Sequence, residues 1–163
     1  MPLQGNNFLK IICQDMFTAQ TNIRVRYSET DQMNVVYHGN YAQYFEVARA
    51  EAIRDLGFTY KEIEALGVIM PIVELHLKFL RPARYDDMLR VKTILKELPV
   101  HHKIEFLQEV FNEEDKLLAT GRVILYFMDA DRMIRTNMPS ALKEKLIPYF
   151  REPGEPIPDR SPE

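Results

Sequence analysis

Apolar residues follow two different periods along this chain, and the switches between them outline the elements. Over residues 23–27 the run Ile-Arg-Val-Arg-Tyr alternates apolar and polar, the period-two pattern of a half-buried strand. The period then lengthens. Tyr41, Tyr44, Phe45, Ala48, Ala52 and Leu56 recur at helical spacing, with no Pro or Gly among them. The alanines predict a helix lying close against other backbone, and Gly57 predicts its C-terminal stop. Thr59 predicts the N-cap of a short second helix ending near Gly67, with Glu62 at the capping-box position. Strict alternation returns in Val73-Glu74-Leu75-His76-Leu77-Lys78-Phe79 and is broken over residues 81–87. Further strands are predicted at about 88–97, 102–111 and 117–128, separated by Leu98-Pro99 and by Asn112-Glu113-Glu114-Asp115. A last helix is predicted from about Ser140 to Phe150, opening after Pro139.

The order is strand, long helix, short helix, then four strands. One long apolar helix followed by hairpin-connected strands implies an α+β fold, a single antiparallel sheet wrapped around that helix. Residues 1–19 have no clear period and read as an extension or an added strand. Residues 20–150 read as one domain. Residues 151–163 carry Pro153, Pro156, Pro158 and Pro162 and read as a disordered tail. Such a sheet leaves an edge and a face to cover. Val91, Leu95, Leu107, Ile124 and Tyr126 are more apolar positions than one helix can bury, so a homo-oligomer is expected.

Composition narrows the class. The 163 residues are 46% hydrophobic, enough for one core, and the formal net charge of -3 comes without a basic stripe for nucleic acid. No apolar run approaches the roughly 20 residues needed to cross a bilayer. The apolar patch Phe8-Leu9-Lys10-Ile11-Ile12 has no basic residue ahead of it and no small-residue cleavage site, so it makes a poor signal peptide. Cys13 is the single cysteine, which excludes an intrachain disulfide and multi-thiolate metal sites. These features point to a soluble cytoplasmic protein.

The chemistry concentrates between the first strand and the long helix. Asp31 stands at the mouth of a polar loop that runs into a helix start at His38-Gly39-Asn40-Tyr41. A carboxylate facing helix N-terminal amides can serve acyl transfer: it attacks or activates water, and the amides hold the developing oxyanion. The competing reading of Asp31 is a turn residue capping its own backbone. For His38 it is a helix-entry residue whose side chain only packs. No Gly-x-Ser-x-Gly, Gly-x-Gly-x-x-Gly or P-loop is present. His76, His101 and His102 lack the neighbours a metal needs, and Asp86-Asp87 reads as a turn.

The segments Tyr27-x-x-Thr30-Asp31, Val36-Tyr37-His38-x-x-Tyr41 and Phe45-Glu46-x-x-Arg49 together resemble hotdog-fold thioesterases of the 4-hydroxybenzoyl-CoA thioesterase type. The resemblance is strongest to small bacterial acyl-CoA thioesterases and spans about residues 20–150. Phe79-x-Arg81-Pro82-Ala83-Arg84-Tyr85-Asp86-Asp87 resembles the family's strand-and-turn segment. The resemblance implies a hotdog fold, an acyl-CoA substrate, no cofactor and a dimer or tetramer. It implies Asp31 as nucleophile or general base. The His38 backbone N–H would be the oxyanion donor, with a catalytic part for the His38 side chain. Asn34 stands where many relatives carry Gly, and Asn tolerates the left-handed backbone better than most residues.

Other residues are weighed in the same way. Tyr41 and Tyr44 read as core, which leaves Tyr27, at the end of the first strand, and Tyr37 as substrate-lining. Arg81 and Arg84, with Lys78 behind them, are candidates for CoA phosphates against a reading as solvated charge. Glu46 and Arg49 read as a surface or interface ion pair, with Glu46 a reserve catalytic carboxylate. Two further functions stay open: a hotdog dehydratase or hydratase acting on an acyl thioester, and a non-catalytic acyl-thioester binder.

Overall fold

The long helix, α1 (Asn40–Asp55), is the element around which the rest is arranged. Its buried positions Tyr41, Tyr44, Phe45, Ala48, Ala52 and Ile53 form one stripe, as the spacing predicts. The helix ends at Leu56, and Gly57 follows in the left-handed region at φ 80°. In α2 (Tyr60–Ala65) the Thr59 hydroxyl accepts from the Glu62 amide while the Glu62 carboxylate accepts from the Thr59 amide. The computed structural model describes residues 16–150.

A five-stranded sheet carries α1. Its strands are β1 (Phe17–Arg24), β3 (Ile72–Phe79), β4 (Met88–Leu95), β5 (Lys103–Phe111) and β6 (Leu117–Tyr126). Their order is β1-β4-β5-β6-β3, with every neighbouring pair antiparallel. β2 (Val68–Ile69) and β7 (Met128–Asp129) pair in a small second sheet. α3 (Ser140–Leu146) closes the described chain with a 3₁₀ turn (Ile147–Phe150), whose Tyr149 packs edge-on against Phe17 at 5.0 Å. The expected hotdog architecture is therefore present, a sheet wrapped on one helix. Among the described residues no helix is long and apolar enough to cross a membrane.

One contact sets how closely helix and sheet approach. The Phe45 ring is fully buried and lies over Gly121 of β6. A Cβ on Gly121 would stand 2.2 Å from Phe45 Cε2, so only glycine leaves room for the ring at this depth. A buried polar network lies alongside. Arg49 Nη1 donates to Gln108 Oε1 at 3.0 Å, and Gln108 Nε2 donates to the Phe45 carbonyl at 3.0 Å and to Thr93 Oγ1 at 3.1 Å.

Four expectations change. Arg49 is buried against β5 rather than paired with Glu46, because its helix face turns to the sheet, where Nη1 donates to Gln108 while Nε has no hydrogen-bond partner among the described residues. Strand β1 begins at Phe17, inside the stretch read as an extension or an added strand, and it ends at Arg24. Tyr27 does not end that strand. It opens a 3₁₀ turn (Tyr27–Glu29), because the Glu29 carboxylate draws the Arg26 amide back at 2.8 Å. Finally, Val91 and Leu95 belong to the core under α1, and Ile124 is buried too. The sheet's other face is largely polar, with Arg122 held by Glu105 at 3.0 Å. Uncovered apolar surface lies instead along edge strand β3, where every residue but Leu77 is exposed, Ile72, Val73, Leu75 and Phe79 among them. The sequence segments 1–15 and 151–163, including the expected tail, lie outside the described residues.

Candidate active site

The loop from β1 to α1 is a small built structure. The Asp31 amide donates to the Val35 carbonyl at 2.9 Å, and the Asn34 amide donates to the Asp31 carbonyl at 2.9 Å. Thr30 and Val36 form a bridge beside this turn. Asn34 takes φ 60°, the left-handed residue that such a turn needs before the chain returns to pairing. Asparagine thus does here what glycine would do. Asp31 Oδ1 accepts from the Met33 amide at 2.9 Å, the turn-capping bond of the bland reading. Among the described residues no other donor meets the Asp31 carboxylate, so one of its oxygens remains available.

The loop is tied down on both sides. The Val36 amide donates to the Ala83 carbonyl at 2.8 Å, which holds the loop to the segment after β3. The Tyr37 amide and Asn40 Nδ2 both donate to the Glu29 carbonyl, at 2.9 and 2.8 Å. At the helix start the Asn40 amide bonds the Tyr37 carbonyl and the Tyr41 amide bonds the His38 carbonyl. The amides of His38 and Gly39 make no such bond among the described residues. They are the free donors at the positive end of α1.

Asp31 and His38 line one open cavity of about 330 Å³, together with Tyr41, Phe79, Leu80 and Arg81. Asp31, His38 and the first turn of α1 therefore meet in one place, against largely apolar walls. The His38 ring lies 4.3 Å from the Tyr37 ring and 6.5 Å from that of Phe79. Tyr41 is buried in the floor. Burial raises its phenol, partly offset by the Ala83 amide, so it stays protonated beside the cavity. A second cavity, about 410 Å³ along the β4–β5 hairpin, contains neither Asp31 nor the helix start.

The other expected site residues divide. Arg81 reaches the cavity, with Nη1 also donating to the Leu117 carbonyl at 3.0 Å. Arg84 lies outside it and leans on the loop, Nη1 standing 3.5 Å from the Asn34 carbonyl. Tyr27 is highly exposed, its ring edge-on to Tyr85 at 5.6 Å and away from the cavity. Tyr37 is half exposed and sits over Gly39, touching the site through His38. Glu46 is exposed on α1 and does not line the cavity. The sequence marks Phe79 as a strand end and a member of the strand-and-turn motif and gives Leu80 no role, since nothing local tells which end of β3 meets the loop. Among the described residues no cluster of three His, Cys, Asp or Glu could hold a metal.

Comparison with known proteins agrees with this architecture. Residues 25–146 match the family model described as the thioesterase-like superfamily. The Escherichia coli protein YbgC, an acyl-CoA thioester hydrolase, is 30% identical over 130 residues, covering 80% of this chain and 93% of YbgC. YneP of Bacillus subtilis is 40% identical over 82 residues, half of this chain and 59% of that protein. Among solved structures, a DHNA-CoA thioesterase from Staphylococcus aureus superposes with a TM-score of 0.70 at 36% identity, covering 74% of this chain and 80% of that one. With a matched family model over most of its length and a sheet wrapped on one helix, the chain belongs to the thioesterase-like superfamily and has its hotdog fold.

Proposed function

We propose that this protein hydrolyses an acyl-CoA to the free acid and CoA, with Asp31 as the reacting carboxylate. One observation carries the reading: Asp31, with a carboxylate oxygen left available, and His38, whose amide is unpaired at the start of α1, line the same largely apolar cavity. The thioester carbonyl carbon would sit against Asp31 with its oxygen toward the helix start. Asp31 then attacks the carbon, or takes a proton from the water that does. In either case the oxyanion is held by the helix amides until the C–S bond breaks and the thiolate leaves. Water supplies the oxygen of the product acid. His38 is within the cavity and suited to donate a proton to the departing sulfur. A thioester is already activated, so positioning and charge stabilisation suffice without a cofactor.

Arg81, which lines the cavity, is suited to the anionic end of CoA, with Arg84, Tyr27 and Tyr37 outside the cavity as the further candidates for that part of the substrate. The thioesterase named for DHNA-CoA supports an aromatic acyl group as the first to test. A homo-oligomer is part of the proposal. The free β3 edge and its exposed Ile72, Val73 and Leu75 support pairing with a second copy, which would wall the open side of the cavity beside Phe79.

The test is release of free thiol, followed with a thiol-reactive dye, across aromatic and aliphatic acyl-CoAs. Wild type should turn over at least one class, and Asp31→Asn should lose ~10²–10⁴-fold in kcat with its fold intact. An Asn variant within about threefold of wild type, where a base should contribute ~10²-fold, would remove Asp31 from the reaction. Hydration of an enoyl-CoA without thiol release would favour the dehydratase alternative.

A further inference from the structure

The cavity holds one carboxylate, yet the loop that carries it is organised by another that never reaches it. Glu29 is 5% exposed, two residues before Asp31. Its carboxylate accepts four hydrogen bonds: from the Arg26 amide at 2.8 Å, Arg26 Nε at 3.0 Å, Arg26 Nη2 at 2.8 Å and the Tyr44 hydroxyl at 2.8 Å. Its backbone carbonyl accepts two more, from the Tyr37 amide and from Asn40 Nδ2.

We infer that Glu29 is a positioning residue for thioester hydrolysis, fixing the Asp31 carboxylate relative to the unpaired amides at the start of α1. The inference rests on the reading of Asp31 given above. Its geometry is that of a bracket. The side chain holds α1 through Tyr44, one turn inside the helix, and holds the segment just after β1 through Arg26. The main chain of the same residue holds the two positions on either side of His38 and Gly39. Asp31 leaves this bracket after one intervening residue, so its distance to the amides is set by Glu29 at both ends.

A carboxylate removed from water costs several kcal/mol unless donors surround it. An apolar side chain would fill the same space without that cost. It could not bind Tyr44 and the Arg26 amide in fixed directions. Directional restraint is what a reaction needs when a misplacement of ~1 Å can cost ~10²-fold.

The experiment compares Glu29→Gln, Tyr44→Phe, Asp31→Asn and the double variant Glu29→Gln/Asp31→Asn in the full-length protein, on the acyl-CoA that wild type hydrolyses best. Measurement is well below each thermal midpoint. Glu29→Gln keeps size but turns an acceptor into a donor, and is expected to lower kcat about tenfold with KM changed less than twofold. Tyr44→Phe, which keeps the ring and removes one bond to Glu29, should lower kcat in the same direction and by less. In the Asp31→Asn background, Glu29→Gln should have no further effect on the residual rate, because a bracket for Asp31 has nothing left to place. A structural role alone would lower both backgrounds equally, and that outcome overturns the inference. So does wild-type kcat in Glu29→Gln, or in Tyr44→Phe should Glu29→Gln fail to fold. If instead Asp31→Asn retains activity, the reading of Asp31 fails first, and the two failures are told apart by that variant.

Discussion

Replacing Gly121 with alanine tests the helix-to-sheet distance on which the site depends. The new Cβ would stand 2.2 Å from Phe45 Cε2, 2.8 Å from Cζ and 2.9 Å from Cδ2. Ordinary contact begins near 3.4 Å, so the ring must retreat by 1.2 Å (3.4 minus 2.2). It has little room to do so. Phe45 is fully buried, and its carbonyl is held by Gln108 Nε2 at 3.0 Å. The overpacking therefore passes to the backbone of α1, at a cost of ~1–3 kcal/mol. For a chain of this size that corresponds to a thermal midpoint lower by roughly 3–10 °C. Phe45 is only five residues into the helix whose start faces Asp31. A displacement of ~1 Å there should lower kcat by up to ~10²-fold even where the fold survives. The assay pairs thermal melts with dye-detected thiol release for Gly121→Ala, Phe45→Leu and the double variant. Leucine removes the clashing ring atoms, so the double variant should be less damaged than the sum of the singles. Strict additivity, or a Gly121→Ala midpoint within about 2 °C of wild type where ~1–3 kcal/mol was expected, would refute the argument.

Three more expectations are open to direct measurement. His38→Ala should cost ~10²-fold or more in kcat if the imidazole donates to the thiolate, and near wild-type kcat would leave the backbone amides alone in the role. Burial would raise the Glu29 carboxyl, but the Arg26 amide, the Tyr44 hydroxyl and the Arg26 guanidinium outweigh it and hold it below its ordinary 4.5. A depressed carboxylate stabilises the fold above its unfolded value and loses that contribution as pH falls through the folded one. The urea-midpoint gap between wild type and Glu29→Gln should thus be full at neutral pH and shrink below about 4.5, and a gap constant into strong acid would contradict it. Light scattering at micromolar concentration should give at least a dimer, reduced toward monomer by Val73→Lys/Leu75→Lys on the β3 edge, and a monomeric wild type would end the proposal of a shared wall.

The amino-acid sequence by itself determined the local elements whose signals are local. The stripe from Tyr41 to Leu56, the left-handed stop at Gly57 and the Thr59–Glu62 box depend on periodicity and caps, and each stands where the pattern puts it. The site loop was legible for the same reason, since turn chemistry at Asp31 and Asn34 is decided within four residues. Tertiary structure decided whatever depends on a distant partner. Phe17-Thr18-Ala19-Gln20 carries too little apolar contrast to declare a strand and becomes one through its register with β4. Arg49 looks like half of a surface pair until Gln108, fifty-nine residues away, buries it. Arg81 and Arg84 are equal candidates along the chain, and only the Ala83–Val36 contact turns one toward the cavity and the other over the loop. Glu29 shows no signal of its own, because its donors come from a preceding arginine and from a helix fifteen residues on. Long-range hydrogen bonds and packing, which have no period to read, assigned these residues their places.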